Sequence, residues 1–497
     1  MEGKSVVIIG SGLGGLECGY ILARHGYRVT VLEKDRQIGG CLQTFRRTAA
    51  YGGNLISEVF DTGFHYVGGL GAGESLNPLF AYFGLLDLPW KQMDSECFDE
   101  VCFEGGGRYE FANGERFVER MSAHFPDARD GFEKFRDFLG GVGEHIFDAF
   151  QEGESPSAAL FGRSALDFLM GIFGGDIAAV RAVSGTSLKM ELGENLPLYV
   201  FAQINNSYIQ SAWRLAGGGS RIAARLADGI TAMGGEVIMG ARVARIVPDG
   251  DRVTRVELSE GDGIEADWFI SDLHPALTLG MVGETPAVRR IYRSRITSLQ
   301  NTYGMFTANI ILKPGAVKYL NRNLYIHARG ADLWHPDTSR TESVLVHFYP
   351  VEGEWATHLD LISPMTLHEI KQWEDFPVGR RGAEYEETKE RKLDEVLRLT
   401  YTALPELKGA IAQVWTSTPL TYRSYTGTID GSAYGIRKDW TRPLATVLSP
   451  RTPLRNLLLT GQSLNLHGIL GVSMTSVFTC GEILGLSGLS HEILVSK

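Results

Sequence analysis

The first thirty-three residues alternate between short apolar runs and a segment whose apolar residues recur at helical spacing. Residues 6–9 (VVII) and 28–32 (RVTVL) have the continuous apolar character of strands that are buried on both faces. Between them, Leu16, Tyr20 and Ile21 continue a helical pattern that stops near Gly26. The pattern predicts a strand, a helix and a second strand, as in proteins that cover a parallel sheet with helices.

A glycine-rich turn joins the first predicted strand to the helix. Gly10, Gly12 and Gly15 have G-x-G-x-x-G spacing, which permits a tight turn, a close approach of pyrophosphate to the backbone, and packing of the helix on the strand. The free N–H groups at the start of the helix attract phosphate. Glu33 ends the second strand, where a carboxylate accepts hydrogen bonds from a ribose and repels a 2′-phosphate. These residues predict a dinucleotide site for FAD or NAD rather than NADP.

Two later segments predict further parts of the same kind of fold. Residues 457–459 (LLL) predict a buried strand, and the Thr460-Gly461-Gln462 stretch predicts a turn that leads into a helix. Upstream, residues 220–233 predict a helix after a glycine turn, and residues 266–275 predict another strand.

Length and composition narrow the class of protein. At 497 residues the chain is long enough for two domains, and its net charge of −11 gives no electrostatic basis for binding nucleic acid. The five cysteines have no zinc-type spacing, so we expect reduced thiols and no metal. Residues 1–4 are too few for a signal peptide, and no run reaches about 18 uncharged apolar residues. We therefore expect a cytoplasmic protein.

A glycine doublet follows the second predicted strand and carries a family resemblance. Glu33, the pair Gly39 and Gly40, and Thr44 together resemble the superfamily of FAD-dependent amine oxidases and phytoene desaturases. Residues 60–69 (FDTGFHYVGG) and 421–435 (TYRSYTGTIDGSAYG) are similar to stretches of its carotenoid isomerase and retinol saturase (all-trans-retinol 13,14-reductase) branch. The Gly-Gln pair at 461–462 resembles that branch too, in a place where the superfamily usually has an acid.

The resemblance implies an α/β fold, with a Rossmann-type FAD-binding domain of the GR2-like flavoproteins and an interleaved α+β substrate domain. We expect the FAD-binding domain to comprise residues 1–99, 206–275 and 421–497. The substrate domain is expected to comprise residues 100–205, which we predict to be helical, and residues 276–420. In such a fold the C-terminal helix directs its N-terminus at the flavin edge where negative charge develops, and this favours FAD over NAD.

The resemblance also implies site residues. The residues expected to hold FAD are Gly10, Gly12, Leu13, Gly14, Gly15, Glu33, Lys34, Gly39, Gly40, Thr44, Asp61, Gly63, Val243, Gly461, Gln462, Gly471 and Val472. His65, Tyr434 and His467 are the expected catalytic residues, as candidates for the group that supplies or removes a proton. From the residues alone, Asp61 and His65 fit an ordinary hydrogen-bonded turn and Tyr434 fits a core position.

The implied chemistry is hydride exchange at flavin N5 with a hydrophobic polyene or isoprenoid-type lipid, as a saturase, desaturase or isomerase of carbon–carbon bonds. The chain has no second nucleotide fingerprint, so its electron donor or acceptor stays unidentified. Two alternatives use the same fold. One is a flavin amine oxidase, whose aromatic cage the sequence does not locate. The other is a non-enzymatic prenyl- or lipid-binding protein, which the intact pyrophosphate turn disfavours.

Two segments bear on membrane contact. Apolar residues of segment 132–150, including Phe132, Phe135, Phe147 and Phe150, recur at three- and four-residue steps. Such a stripe fits a core helix as well as a lipid tunnel or a lip that rests on a bilayer. The basic residues 289–295 (RRIYRSR) fit ion pairs as well as anionic headgroups. Peripheral membrane contact is thus one expected use of these segments.

Overall fold

The computed structural model describes residues 3–146, 156–261, 263–337 and 339–496. Phe147 and Phe150, which belong to the predicted apolar stripe, lie outside the described residues. In the described part of that stripe, Phe132 and Phe135 are fully buried. This part of the stripe is therefore core.

The chain forms strands and helices throughout its length. The strands are β1 (Ser5–Ile9), β2 (Arg28–Glu33), β3 (Thr44–Tyr51), β4 (Asn54–Asp61), β5 (Val67–Gly68), β6 (Trp90–Gln92), β7 (Asp99–Phe103), β8 (Arg108–Phe111), β9 (Ala212–Leu215), β10 (Glu236–Met239), β11 (Val243–Asp249), β12 (Arg252–Leu258), β13 (Gly263–Glu265), β14 (Trp268–Ser271), β15 (Gly304–Leu312), β16 (Asn323–His327), β17 (Ser343–Phe348), β18 (His358–Met365), β19 (Ile411–Ser417) and β20 (Leu457–Leu459). The α-helices are α1 (Leu13–Arg24), α2 (Asn77–Tyr82), α3 (Glu115–His124), α4 (Arg129–Gly143), α5 (Pro156–Ala159), α6 (Ala165–Ile172), α7 (Ile177–Val183), α8 (Leu198–Gln210), α9 (Ser220–Ala232), α10 (Pro275–Met281), α11 (Arg290–Thr297), α12 (Ala383–Thr400), α13 (Pro419–Thr426), α14 (Pro443–Thr446), α15 (Gly468–Leu484) and α16 (Leu486–Leu494).

A five-stranded parallel sheet unites the two ends of the chain. Its order is β10-β2-β1-β14-β20, so that β1 lies between β2 and β14 and the C-terminal β20 forms one edge. Val6 is paired with Val29 on one side and with Trp268 on the other. The short apolar runs form these strands because a parallel sheet is covered on both faces. The sheet confirms the predicted α/β fold with a Rossmann-type domain.

Alternate residues of β1 pack into different layers. Val6 and Ile8 belong to the large core that also contains residues of α1, α9 and α15. Val7 and Ile9 belong to a separate core with residues of the antiparallel sheet β11-β12-β13. The start of α1, where the glycine turn lies, is consequently fixed between the parallel sheet and α15.

A second, seven-stranded sheet has the order β19-β15-β18-β17-β16-β7-β8. The prediction that residues 100–205 are helical is wrong at their start, because β7 and β8 belong to this sheet and only the later part is helical. Asp99 and Glu100 interrupt the apolar pattern of β7 and yet are buried, because they pair with Lys189 and Arg108. The division of the chain into five domain segments stays a prediction.

Strands β3 and β4 form a two-stranded antiparallel hairpin, and its register places Thr44 directly opposite Asp61. Among the described residues, no helix combines the length and the apolarity required to cross a bilayer.

Candidate functional site

The two predicted glycine turns lie against each other. A Cβ atom at Gly14 would lie 3.1 Å from the backbone nitrogen of Gly461 and 3.2 Å from its Cα atom. Ser476, on α15, donates a hydrogen bond from its hydroxyl to the Gly14 carbonyl at 3.4 Å. Gly461 has φ +93°, a conformation that residues with a side chain rarely adopt. The glycine turn after β1 and the glycine turn after β20 thus form one continuous surface, which we call the turn surface.

Glu33 lies at the rim of this surface, at the carboxyl end of β2. One of its carboxylate oxygens accepts hydrogen bonds from the backbone N–H and the hydroxyl of Ser11, at 3.1 and 2.5 Å. Gly39 donates its N–H to the Ser11 carbonyl at 2.9 Å, and a Cβ atom at Gly40 would lie 3.4 Å from Gly12 Cα. The glycine doublet therefore packs on the glycine turn that follows β1.

Thr44 and Asp61 form a second cluster with the glycines before α9. Asp61 accepts a hydrogen bond from the Gly219 N–H at 2.7 Å, and the Thr44 hydroxyl donates to that of Ser220 at 3.0 Å. A Cβ atom at Gly218 would lie 2.7 Å from the Thr44 methyl carbon and 2.8 Å from an Asp61 oxygen. Burial raises the pKa of Asp61 well above its usual value.

The other predicted cofactor residues lie beside these turns. Leu13 begins α1, while Gly471 and Val472 lie in the first two turns of α15. Val243 begins β11. Two residues earlier, the backbone N–H of Ala241 donates a hydrogen bond to the Glu33 carbonyl. Gly63 donates its N–H to the Cys41 carbonyl. Lys34 forms a 2.7 Å ion pair with the neighbouring aspartate, and Gln462 is half-buried after Gly461.

The turn surface fits an anionic dinucleotide. A Cβ atom at Gly12, Gly14 or Gly461 would lie only 2.3–2.6 Å from an oxygen of Asp272, so side chains are excluded there. The backbone N–H groups of Gly15 and Gly12 lower the pKa of the Asp272 carboxyl, so they favour an anionic oxygen at this position. We propose that the same glycine backbone holds the pyrophosphate of FAD and that Glu33 holds its ribose.

Sequence reasoning missed two buried carboxyl groups at this surface. Burial, with a smaller contribution from the nearby Glu33 charge, raises the pKa of Asp272 to about 7. Burial also raises the pKa of Glu17, on α1, to about 8. Glu17 accepts a hydrogen bond from Ser473 at 2.6 Å, and its second oxygen has no hydrogen-bond partner among the described residues. The residues around Glu17 form an ordinary helical pattern, so they give no local indication that its carboxyl group is buried beside this surface.

Tyr434 and His467 are brought together. Their rings stack with centroids 4.3 Å apart, and His467 directly precedes α15. The Tyr434 hydroxyl donates to the Leu188 carbonyl, and His467 Nε2 donates to the Lys189 carbonyl at 3.1 Å. Burial lowers the pKa of His467 to about 4 and raises that of Tyr434. At neutral pH the imidazole is therefore uncharged and the phenol keeps its proton.

His65 lies in a different cluster. Its ring stacks on His347 with centroids 5.2 Å apart, and its Nδ1 has no hydrogen-bond partner among the described residues. Burial, with a smaller contribution from the buried Arg214, lowers the pKa of His65 to about 4. The free ring nitrogen is not that of a satisfied turn histidine, so the ordinary-turn interpretation of His65 loses its main support.

A buried ion pair between Lys189 and Asp99 adjoins the stacked rings, and sequence reasoning missed it. Lys189 Nζ lies 2.7 Å from an Asp99 oxygen, and both side chains are almost completely buried. Asp99 also accepts hydrogen bonds from Tyr66 and Asn323, each at 2.9 Å. Burial lowers the pKa of Lys189, whereas the Asp99 charge raises it. The sequence around Lys189 has no motif that indicates this partner.

Two cavities meet at His467. One of about 40 Å³ is lined by Lys189, Tyr208 and residues 466–470 at the start of α15. The other, of about 640 Å³, is lined partly by Tyr303, Trp334 and Lys438. The larger volume lies in the range of pockets that bind small organic ligands. His467 thus borders the ligand-sized cavity, and Tyr434 stacks on this histidine.

Comparisons with known proteins indicate the family of the chain and its fold. A family model described as flavin containing amine oxidoreductase matches residues 13–271, more than half of the chain. The all-trans-retinol 13,14-reductase of Rattus norvegicus is 26% identical over 97% of this chain and 86% of its own length. The lycopene-forming phytoene desaturase of a Paracoccus species is 24% identical over 54% of each protein.

A solved structure provides a comparison of the fold. A wild-type putrescine oxidase bound to putrescine has a TM-score of 0.61 and 14% identity, with 99% of both chains covered. At that identity the likeness concerns the fold alone.

Proposed function

The chain belongs to the flavin containing amine oxidoreductase family and is an FAD-dependent oxidoreductase; from that premise we propose that it acts on carbon–carbon bonds of a hydrophobic polyene or isoprenoid-type lipid. The observation that carries the proposal is the extent of the likeness to the retinol reductases. That likeness covers 97% of this chain, whereas the likeness to a phytoene desaturase covers 54%. It therefore includes the segments that surround the ligand-sized cavity as well as the FAD-binding ones.

When bound, FAD supplies hydride transfer, and the protein supplies position, a dry environment and proton exchange. We assign FAD binding to the surface formed by Gly12, Gly14 and Gly461. The Tyr434 phenol, which keeps its proton at neutral pH, is the proposed proton donor. The uncharged His65 and His467 imidazoles suit the role of proton acceptors. A saturase needs the proton donor, a desaturase needs the proton acceptor, and an isomerase that removes one proton and returns another needs both.

The alternative of a flavin amine oxidase stays open, because the putrescine oxidase shares this fold. The alternative of a non-enzymatic lipid-binding protein is not retained, since the family is one of oxidoreductases.

Turnover with two substrate sets distinguishes the two enzyme functions. The purified holoprotein is incubated anaerobically with retinoids or carotenoids, either with dithionite as reductant or with a quinone as oxidant. Products are identified by chromatography with mass spectrometry, and lipid that co-purifies with the protein is identified in the same way. A mass change of two hydrogens, or an isomerised double bond, supports the proposal. A parallel incubation in air tests alkylamines, with O2 as the oxidant. Peroxide formation from alkylamines in air, without any polyene product in the anaerobic incubations, would overturn the proposal.

Two variants and a matched control test Tyr434 and His65 at equal FAD occupancy. Tyr434→Phe and His65→Ala are expected to lower turnover at least tenfold with the flavin spectrum unchanged. Tyr422→Phe is the matched control, because it removes a buried hydroxyl that bonds Thr307 at 2.6 Å, outside the proposed proton-exchange groups. Full turnover in both test variants would remove these residues from the mechanism.

A further inference from the structure

Five aromatic rings surround the buried ammonium of Lys189. Its Nζ atom lies 4.3 Å from the centroid of Tyr208 and between 5.4 and 5.9 Å from the other four. We call this group the Lys189 cage, and its rings are Tyr66, Phe98, Phe111, Tyr208 and Tyr325. Rings at these distances attract a cation through their negative faces, and cages of this kind recognise ammonium ligands.

The cage also has a charge partner and a polar frame. Asp99 lies 2.7 Å from the ammonium and is itself held by the hydroxyl of Tyr66 and the amide of Asn323. The hydroxyls of Tyr66 and Tyr325 are hydrogen-bonded to each other at 2.6 Å. The carboxylate and the rings are therefore preorganised around one positive charge, as in a binding site for an alkylammonium ion.

The cage opens on the candidate active site. Lys189 and Tyr208 line the small cavity together with His467 and the first residues of α15. The carbonyl of Lys189 accepts the hydrogen bond of His467, whose ring stacks on Tyr434. A cation in this cage thus lies beside the groups that we propose exchange protons with the substrate.

We propose that the Lys189 cage is a binding site for alkylammonium that the chain's own lysine fills, so that Lys189 excludes amines from the substrate site. A second ammonium ion would meet a fixed positive charge with its carboxylate and rings already engaged. An uncharged polyene meets no such repulsion. This inference rests on the proposed function only in treating the small cavity as part of the substrate site.

Replacement of the lysine side chain by an added amine tests the cage. Lys189→Ala removes three carbons and the ammonium, which are the atoms of n-propylammonium. The variant leaves Asp99 buried without a cation, so its Tm is expected to fall. Addition of n-propylammonium is expected to recover most of the lost Tm in a saturable manner, because a ligand of the native state stabilises it. Propionate and n-propanol at equal concentration are expected to recover little.

One matched variant and the unaltered protein serve as controls for the cage. Lys189→Met fills the same space with an apolar chain, so its Tm is expected to fall without any recovery by amine. The unaltered protein is expected to show neither a Tm shift nor a change of its flavin spectrum with n-propylammonium, whereas the spectrum of Lys189→Ala changes. Equal effects of propanol and propylammonium on Lys189→Ala, or no effect of either, would overturn the proposal.

A double variant covers the case in which Lys189→Ala does not fold. Lys189→Ala with Asp99→Asn leaves no buried carboxylate unpaired, and n-propylammonium must still raise its Tm more than propanol does. The two proposals fail separately. Polyene turnover without this amine-specific stabilisation overturns the cage, and amine-specific stabilisation without polyene turnover overturns the proposed function.

Discussion

Asp272 gives the turn surface a titrating carboxyl group whose removal has a calculable effect on FAD binding. It follows β14 directly, and its carboxylate bonds the backbone of Gly15 and Gly12. Burial raises its pKa to about 7. Asp272→Asn keeps the size of the side chain and an acceptor oxygen but removes the charge and its titration.

The magnitude follows from proton linkage. A pyrophosphate bound at the same glycine backbone adds negative charge and raises the pKa of Asp272 further. Above pH 7, FAD binding must then be accompanied by uptake of a proton, so the Kd rises up to about tenfold for each pH unit. At pH 8.5 the affinity for FAD is expected to be about 30-fold lower than at pH 6, which corresponds to about 2 kcal/mol of binding free energy. The asparagine variant lacks this loss.

Titration of the deflavinated protein with FAD between pH 6 and 8.5, followed by flavin fluorescence, measures the effect. Asp272→Asn is expected to match the unaltered protein at pH 6 and to bind about 30-fold more tightly at pH 8.5. Asp267→Asn is the matched control, because that exposed carboxylate is bonded by Ser5, which lowers its pKa and keeps it ionised throughout. An identical pH dependence in Asp272→Asn and the unaltered protein would refute the reasoning.

Two further predictions concern the same surface. Glu17 has a folded-state pKa of about 8, above its unfolded value, so its contribution to stability is present at low pH and is lost as the pH rises towards 8. The stability that Glu17→Gln gains over the unaltered protein should therefore be larger at pH 9 than at pH 5 by up to about 4 kcal/mol, measured by urea unfolding; a pH-independent difference would contradict this. Gly14→Ala places a Cβ atom 2.6 Å from Asp272 and 3.1 Å from Gly461, so it should raise the Kd for FAD more than tenfold while the far-ultraviolet circular dichroism is retained. Gly140→Ala, which has open space around its Cβ, is its control, and normal FAD content in Gly14→Ala would contradict the prediction.

The FAD-binding half of the fold could be predicted because its signals are local. A buried strand, a glycine turn and an amphipathic helix each leave a pattern within about ten residues, and β1, α1, β2 and β20 all follow it. The seven-stranded sheet could not be predicted in this way. Its strands β15 to β18 are almost entirely buried, and an apolar run without alternation is compatible with a buried helix as well as a strand.

The candidate site shows the same division. Gly12 and Gly461 belong to motifs, and their neighbours in the sequence reveal their role. Lys189 and Asp99 are ninety positions apart, and neither has a distinctive neighbour. Asp99 lies on β7 and Lys189 lies in a short turn before α8, so the two residues pair through a long-range contact that no local sequence pattern indicates.

Family membership does not decide the reaction of this protein, because amine and polyene substrates are both handled on this fold by the proteins it resembles. The FAD end of the site is shared, so the difference must arise where the substrate lies. There the chain offers an ammonium held by Asp99 and five rings, a neutral imidazole at His467 and a protonated phenol at Tyr434. A cationic substrate would have to displace a cation from its own preorganised partners, whereas an alkene needs only apolar contact and a proton donor. In the substrate site that we propose, these charges therefore favour a polyene over an amine.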